Sequence, residues 1–213
     1  SSKAVGLYFN RDFISNPPRS TGELLEMVSV GRTLVVPLSA YHLFGFFGAF
    51  GGQLMDENGK CIADQGGYVE AMQYLLKLKA AGAVFDPDYG NIQSMFRNGK
   101  AAMLIDGPWS LPEYRGALGD RLSVAPIPGG PGGPARPLTG IDGFYVNPNS
   151  KNVESAIALA LFLTTPDSMQ VFTEMGGHIP IRPDVSVRDP LIGAFSEAAA
   201  MGFPRPQSAE FGS

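Results

Sequence analysis

The stretch that decides the fold runs from residue 96 to residue 109 and reads Phe96-Arg97-Asn98-Gly99-Lys100-Ala101-Ala102-Met103-Leu104-Ile105-Asp106-Gly107-Pro108-Trp109. A helical segment should end at Asn98-Gly99, and the apolar run 101–105 then predicts a central strand. Gly107-Pro108 follows this strand, so Trp109 should emerge at the edge of the sheet. We therefore expect a buried strand that carries an aromatic side chain to the surface.

Other elements alternate around this strand. Strands are predicted at 4–10, 33–37, 122–126 and 143–147. A capping-box pair, Ser20 and Glu23, should start a helix, and apolar side chains recur at helical spacing from Tyr68. Further helices are predicted at 153–163, at 166–175 after an N-cap at Thr165, and from Asp189-Pro190 to near Gly202. The order predicts an α/β fold followed by a mainly helical half.

Composition excludes several classes of protein. The chain has 213 residues, of which 44% are hydrophobic and 17% charged, which is typical of a globular protein. Its net charge of −4 gives no basic face for nucleic acid. The single cysteine, Cys61, excludes an internal disulfide and a cysteine-rich metal site. No apolar run reaches the roughly 18 residues of a membrane span, and Ser1-Ser2-Lys3-Ala4 lacks signal-peptide features, so we expect any targeting segment to have been removed.

The sequence offers little support for catalysis. The two histidines and one cysteine occur outside any Gly-x-Ser-x-Gly elbow, and the glycine-rich loop 129–134 lacks the residue order of a phosphate-binding loop. We expect no enzyme activity, no cofactor and no metal. A glycoside hydrolase stays as an alternative, because twenty acidic residues could place two carboxylates across a glycosidic bond.

The stretch 96–109 resembles the signature of family 1 extracellular solute-binding proteins of the maltose- and maltodextrin-binding type. Three other segments match that family in order: Leu7-Tyr8-Phe9-Asn10-Arg11-Asp12, Asp86-Pro87-Asp88-Tyr89 and Gly177-His178-Ile179-Pro180-Ile181-Arg182. The resemblance implies a type II periplasmic-binding-protein lobe, in which helices flank a mixed sheet.

The resemblance also implies how the chain is divided. Residues 1–148 would form the second lobe, and 149–202 would be a helical segment that packs on the first lobe in the family. Residues 203–213 would be the end of the cross-over or hinge, or an artificial junction, as Glu210-Phe211-Gly212-Ser213 suggests. Because the family's N-terminal lobe segment has no match here, the helices need another partner, and we expect a homo-oligomer or a rearranged helical half.

The function implied by the resemblance is the carbohydrate-binding component of an ABC sugar importer. Such a protein works in the periplasm or outside the cell, where the full-length protein could carry a lipid anchor. Its partners would be a maltose- or maltodextrin-like oligosaccharide and the membrane permease. The alternative is a truncated or engineered fragment that serves as a scaffold or oligomerising domain and binds no ligand.

The candidate site residues are those that suit a pyranose ring, which has an apolar C–H face and a rim of hydroxyls. By position in the matched motifs, the rings against the sugar would be Tyr41, Tyr89 and Trp109, with an apolar contact from Phe203. His42 could bond a hydroxyl, and Asp142 could accept one from the cleft floor. Each of these residues has a structural alternative, such as core packing for Trp109, His42 and Tyr41, a terminal staple for Phe203 and an Asp-Gly turn for Asp142.

Two details refine the site. Tyr89 follows Asp86-Pro87-Asp88 and is expected on a loop. Ser39 stands where maltose-binding members of the family carry a carboxylate, which weakens any claim to maltose itself.

Overall fold

The computed structural model describes residues 1–206. The elements in chain order are β1 Ser2–Lys3, β2 Gly6–Asn10, α1 Thr21–Ser29, β3 Leu34–Pro37, α2 Ala40–Ala49, α3 Tyr68–Ala80, β4 Val84–Asp86, α4 Tyr89–Arg97, β5 Met103–Asp106, α5 Leu111–Leu118, β6 Leu122–Ala125, β7 Leu138–Ile141, α6 Val153–Leu163, α7 Pro166–Gly176, α8 Pro190–Met201 and β8 Phe203–Pro204. The proposed junction at Glu210-Phe211-Gly212-Ser213 lies outside the described residues.

The centre of the fold is a five-stranded mixed sheet in the order β4-β3-β5-β2-β6. β3 runs parallel to β4 and β5, whereas β2 runs antiparallel to β5 and β6. A smaller sheet joins β1, β7 and β8. The predicted α/β architecture, with helices flanking a mixed sheet, is confirmed.

The sheet has a core on each face because its three central strands, β2, β3 and β5, are buried on both sides. Successive side chains of a strand point to opposite faces, so Leu7 and Phe9 enter one core while Tyr8 enters the other. The first core includes residues of α1 and α3, and the second includes residues of α4, α5 and α8. These helices hold the sheet rigidly from both sides.

The predicted helix starts are confirmed. Ser20 Oγ accepts the Glu23 N–H at 3.1 Å, Thr165 caps α7 and Asp189 caps α8. The capping box of α1 differs in one respect, because the Glu23 carboxylate accepts the N–H of Arg19 and not that of Ser20. The start of α1 is nevertheless stabilised by two side-chain hydrogen bonds, one from Ser20 and one from Glu23.

The predicted strand at 143–147 is wrong. The strand of this region is β7, which ends at Ile141, and Tyr145 is 95% exposed. β7 forms where β1 and β8 supply hydrogen bonds on either side. The apolar run at Phe144-Tyr145-Val146 has the composition of a strand but pairs with no other strand among residues 1–206.

The segment 149–202 does not behave as one unit. α8 packs on β6 and β2 and buries Ile192 and Phe195, so within this chain it lies against the predicted second lobe. α6, by contrast, has no buried residue, and it exposes a row of apolar side chains that includes Leu161 and Phe162. α7 contacts both α5 and α6. The expected division of the chain into lobe segments stays a prediction. No helix within residues 1–206 is long and apolar enough to cross a bilayer.

Candidate functional site

The first turn of α2 places Tyr41 and His42. Ser39, in extended conformation, caps this helix by accepting the backbone N–H of His42 at 3.4 Å. The same hydroxyl lies 2.7 Å from His42 Nδ1 and fixes the imidazole. Ser39 is thus committed to shaping the start of α2.

Tyr89 is the first residue of α4, so its predicted position on a loop is wrong. Asp88 caps α4 by accepting the Asn91 N–H at 3.1 Å. Asp86 accepts hydrogen bonds from the Asp88 N–H and the Asn91 side chain, and these bonds lower the pKa of Asp86. The carboxylates at 86 and 88 that suggested a loop are the groups that start this helix.

Trp109 lies just beyond β5, in a 3₁₀ turn, and is 37% exposed. Its ring lies directly over Gly107, where an added Cβ would sit 2.0 Å from the nearest ring atom. The carbonyl of Gly107 accepts the buried hydroxyl of Tyr8 at 2.8 Å, which ties this turn to the core. Glycine is required here because the indole occupies the space of a side chain.

Four rings from these three elements form one surface, which we call the aromatic platform: Tyr41, His42, Tyr89 and Trp109. The Tyr41 and Trp109 ring centroids are 6.0 Å apart, and His42 lies 5.8 Å from Tyr89 and 6.3 Å from Trp109. Trp109 Nε1 donates to the Tyr89 hydroxyl at 2.8 Å. Four of the six candidate residues are therefore neighbours in the structure.

Beneath the platform lies Asp106, a residue that the sequence analysis did not select. Its side chain is 0% exposed. It accepts hydrogen bonds from the hydroxyls of Tyr89 at 2.8 and 2.9 Å and of Tyr114 at 2.6 Å, and from the Gly107 N–H at 2.8 Å. His42 Nε2 faces the same carboxylate at 3.6 Å. The available signal was a carboxylate at the end of a wholly apolar strand, directly before Gly107.

The tyrosines of the site are neutral at ordinary pH. Burial, followed by the charge of Asp106, raises the pKa of Tyr89 to about 12. The same two causes raise the pKa of Tyr114. Burial also raises the pKa of Tyr41 to about 12, and the charge of Arg205 partly opposes this rise. Each hydroxyl therefore keeps its proton as a donor.

Phe203 and Asp142 have other partners. The Arg136 guanidinium lies 3.7 Å from the Phe203 ring centroid, and Phe44 packs edge-on at 6.0 Å. Asp142 forms an ion pair with Lys3 at 2.6 Å, and its charge contributes to the raised pKa of Tyr41. Within residues 1–206 neither side chain shares a hydrogen bond or a ring pair with the platform, although Asp142 acts on it through its field.

The platform is suited to holding a flat, partly apolar ligand that carries hydroxyls. It presents aromatic faces with a few polar edges, and imidazole and phenol groups are able to exchange hydrogen bonds with hydroxyls. Among the described residues no cluster of three or more His, Cys, Asp or Glu side chains could hold a metal ion.

Known proteins with the same fold include several sugar-binding proteins. Residues 2–200 match the family described as bacterial extracellular solute-binding protein. The maltotriose-binding protein of Pyrococcus abyssi is 25% identical over 100% of this chain and 51% of its own length. The maltodextrin-binding protein MdxE of Bacillus subtilis is 27% identical over 82% of this chain and 47% of its own. The chain thus spans about half the length of these relatives.

A solved structure of a sugar-binding protein is also similar to this chain. The maltotriose-binding protein of Thermus thermophilus, determined with maltotriose bound, is 31% identical and superposes with a TM-score of 0.85. The alignment covers 99% of this chain and 61% of that protein. The similarity therefore extends over the strands and helices that carry the platform.

Proposed function

Because the chain belongs to the bacterial extracellular solute-binding protein family, we propose that it carries one face of the oligosaccharide site of an ABC sugar importer. The ligand is a maltose- or maltodextrin-type oligosaccharide, which the protein captures outside the cytoplasm and delivers to a membrane permease. The relatives named for maltotriose and maltodextrin support this ligand class.

The observation that carries the proposal is the aromatic platform. A pyranose ring offers its C–H face to an aromatic ring and its hydroxyl rim to polar edges, and Tyr41, Trp109 and His42 provide both kinds of surface. Phe203 and Asp142 stay in the proposal as outer contacts, since Phe203 packs against Phe44 of α2 and Asp142 follows β7, which contacts α2.

Binding explains the site better than hydrolysis. A glycosidase needs two carboxylates that reach the glycosidic bond, whereas Asp106 is sealed beneath the platform and occupied by three donors. The relatives named above are described as maltotriose- or maltodextrin-binding proteins. Incubation with maltotriose should therefore release no new reducing ends.

Titration of the Trp109 fluorescence with maltose, maltotriose and trehalose tests the proposal, since Trp109 is the single tryptophan. We expect a saturable change for the glucose oligosaccharides with a dissociation constant near 1 mM, about −4 kcal/mol, because the platform contacts only one side of a sugar. Tyr41→Ala should raise the dissociation constant at least about tenfold.

The matched control is Phe13→Ala. Phe13 follows β2 at the end opposite Asp106, so its loss should leave the titration unchanged. A wild-type spectrum that no sugar alters, or a response that survives in Tyr41→Ala, would exclude this site.

We also propose that the chain on its own forms dimers through α6, whose apolar face has no cover within residues 1–206. Light scattering after size-exclusion chromatography should show a dimer that dissociates in the variant Leu161→Glu/Phe162→Glu. Val69→Glu, at an equally exposed position on the packed helix α3, is the control and should stay dimeric. A wild-type monomer at every concentration tested would contradict this proposal.

A further inference from the structure

We propose that Asp106 is a positioning residue that fixes the orientation of Trp109 through the hydroxyl of Tyr89. Trp109 Nε1, Tyr89 Oη and the Asp106 carboxylate form a chain of hydrogen bonds with links of 2.8 Å. The outer end of this chain is exposed to ligand and the inner end is sealed from solvent.

The direction of each bond is determined by the chemistry of the groups. An ionised carboxylate only accepts and an indole N–H only donates. The single hydroxyl hydrogen of Tyr89 must therefore point to Asp106, which leaves the oxygen free to accept from Trp109. Ser110 Oγ lies 3.1 Å from the same oxygen and itself accepts from Gln93, so it can also donate there. Asp106 is the final acceptor of the whole network.

A second link connects Asp106 to the same indole. The Gly107 N–H donates to Asp106 at 2.8 Å, and the Trp109 ring rests on Gly107. One carboxylate thus holds the nitrogen of the indole through Tyr89 and the surface beneath its six-membered ring through Gly107. Together these contacts specify both the tilt and the rotation of the ring.

The burial of Asp106 indicates that its carboxylate organises the groups around it. Transfer of a carboxylate from water costs several kcal/mol unless donors compensate it. Here the compensation comes from tyrosine hydroxyls and a backbone N–H, and among residues 1–206 no lysine or arginine pairs with Asp106. A buried carboxylate without a lysine or arginine partner aligns the donors that compensate it. The aligned donors belong to the platform or directly support it.

The effect of Asp106 on ligand binding rests on the proposed function. The effect of Asp106 on the orientation of Trp109 does not. If sugars stack on Trp109, the fixed ring spares the ligand the cost of ordering it. The orientation of the ring itself can be measured without any sugar.

The experiment is a double-mutant cycle read by the emission maximum and acrylamide quenching of Trp109, the only tryptophan among the 213 residues. Asp106→Asn keeps the shape but removes the charge, and Tyr89→Phe removes the connecting hydroxyl. We expect each variant to shift the emission to longer wavelength and raise the quenching constant, and the double variant to show no more than the larger single effect.

Tyr114→Phe is the matched control. It removes the other hydroxyl on Asp106, which has no bond to Trp109, so it should lower the thermal midpoint without shifting the emission. An equal emission shift in Tyr114→Phe would indicate a general loosening of the fold and would overturn the proposal. A wild-type emission spectrum in folded Asp106→Asn would also overturn it. So would a double variant whose emission shift equals the sum of the two single shifts. If Asp106→Asn does not fold, Tyr89→Phe decides alone, and an unchanged spectrum there overturns the proposal.

A maltotriose titration of the wild type separates the two claims. If the cycle behaves as expected while the wild type binds no sugar, the role of Asp106 stands and the proposed function fails.

Discussion

Replacement of Phe195 by alanine is expected to lower the free energy of unfolding by about 3–5 kcal/mol, the usual cost of truncating a buried phenylalanine. Phe195 lies on α8, is 0% exposed and packs edge-on against Tyr8 with ring centroids 5.2 Å apart. Its ring also fills the space over Gly6, where an added Cβ would meet it at 3.0 Å. Loss of this ring leaves a cavity between α8 and the sheet.

The comparison is Val69→Ala on α3, at a position that is 64% exposed and lies outside the proposed dimer contact. This change should alter stability by no more than about 0.5 kcal/mol, the usual effect of a surface substitution. Urea unfolding of both variants, followed by circular dichroism, measures the difference. Equal losses would mean that α8 does not belong to the core of this chain.

Gly107→Ala is expected to weaken sugar binding at least about tenfold, or about 1.4 kcal/mol, with far less effect on folding. The backbone of Gly107 is extended, with φ −103° and ψ 174°, so alanine fits it without strain. The new Cβ would overlap the Trp109 ring, with distances of 2.0 and 2.1 Å to two ring atoms. Because Trp109 is partly exposed, its ring can swing outward and leave the platform.

Calorimetric titration with maltotriose, together with thermal unfolding, checks this expectation. Gly116→Ala is the control, because nothing lies within 4 Å of a Cβ at Gly116 in α5, and it should bind sugar as the wild type does. A Gly107→Ala variant that binds normally would show that Trp109 does not contact the ligand.

Much of the fold could be predicted because its signals are local. The caps at Ser20, Thr165 and Asp189 started helices where they were expected, since each cap bonds an N–H two or three residues away. The central strand β5 was equally clear, since a strand buried on both faces is a continuous apolar run. The aromatic residues of the platform followed from the family resemblance and not from spacing alone.

The remaining features depend on partners that are distant in sequence. Asp106 resembles an ordinary acidic residue until folding brings Tyr89 and Tyr114 to it from two helices. The run at Phe144-Tyr145-Val146 has the pattern of a strand, but hydrogen-bonding neighbours decide whether a strand forms. The division between α6 and α8 also escaped prediction, since both helices are apolar and only the folded chain shows which one reaches the sheet.

The edges of the five-stranded sheet have a consequence for aggregation. The outer strands, β4 and β6, contain three and four residues, and Pro87 and Pro126 follow them directly. Proline has no N–H to donate, so an added strand could form only a few backbone hydrogen bonds with either edge. Growth of this protein into fibrils by strand addition is therefore disfavoured, and chains that stick together should do so through their helices.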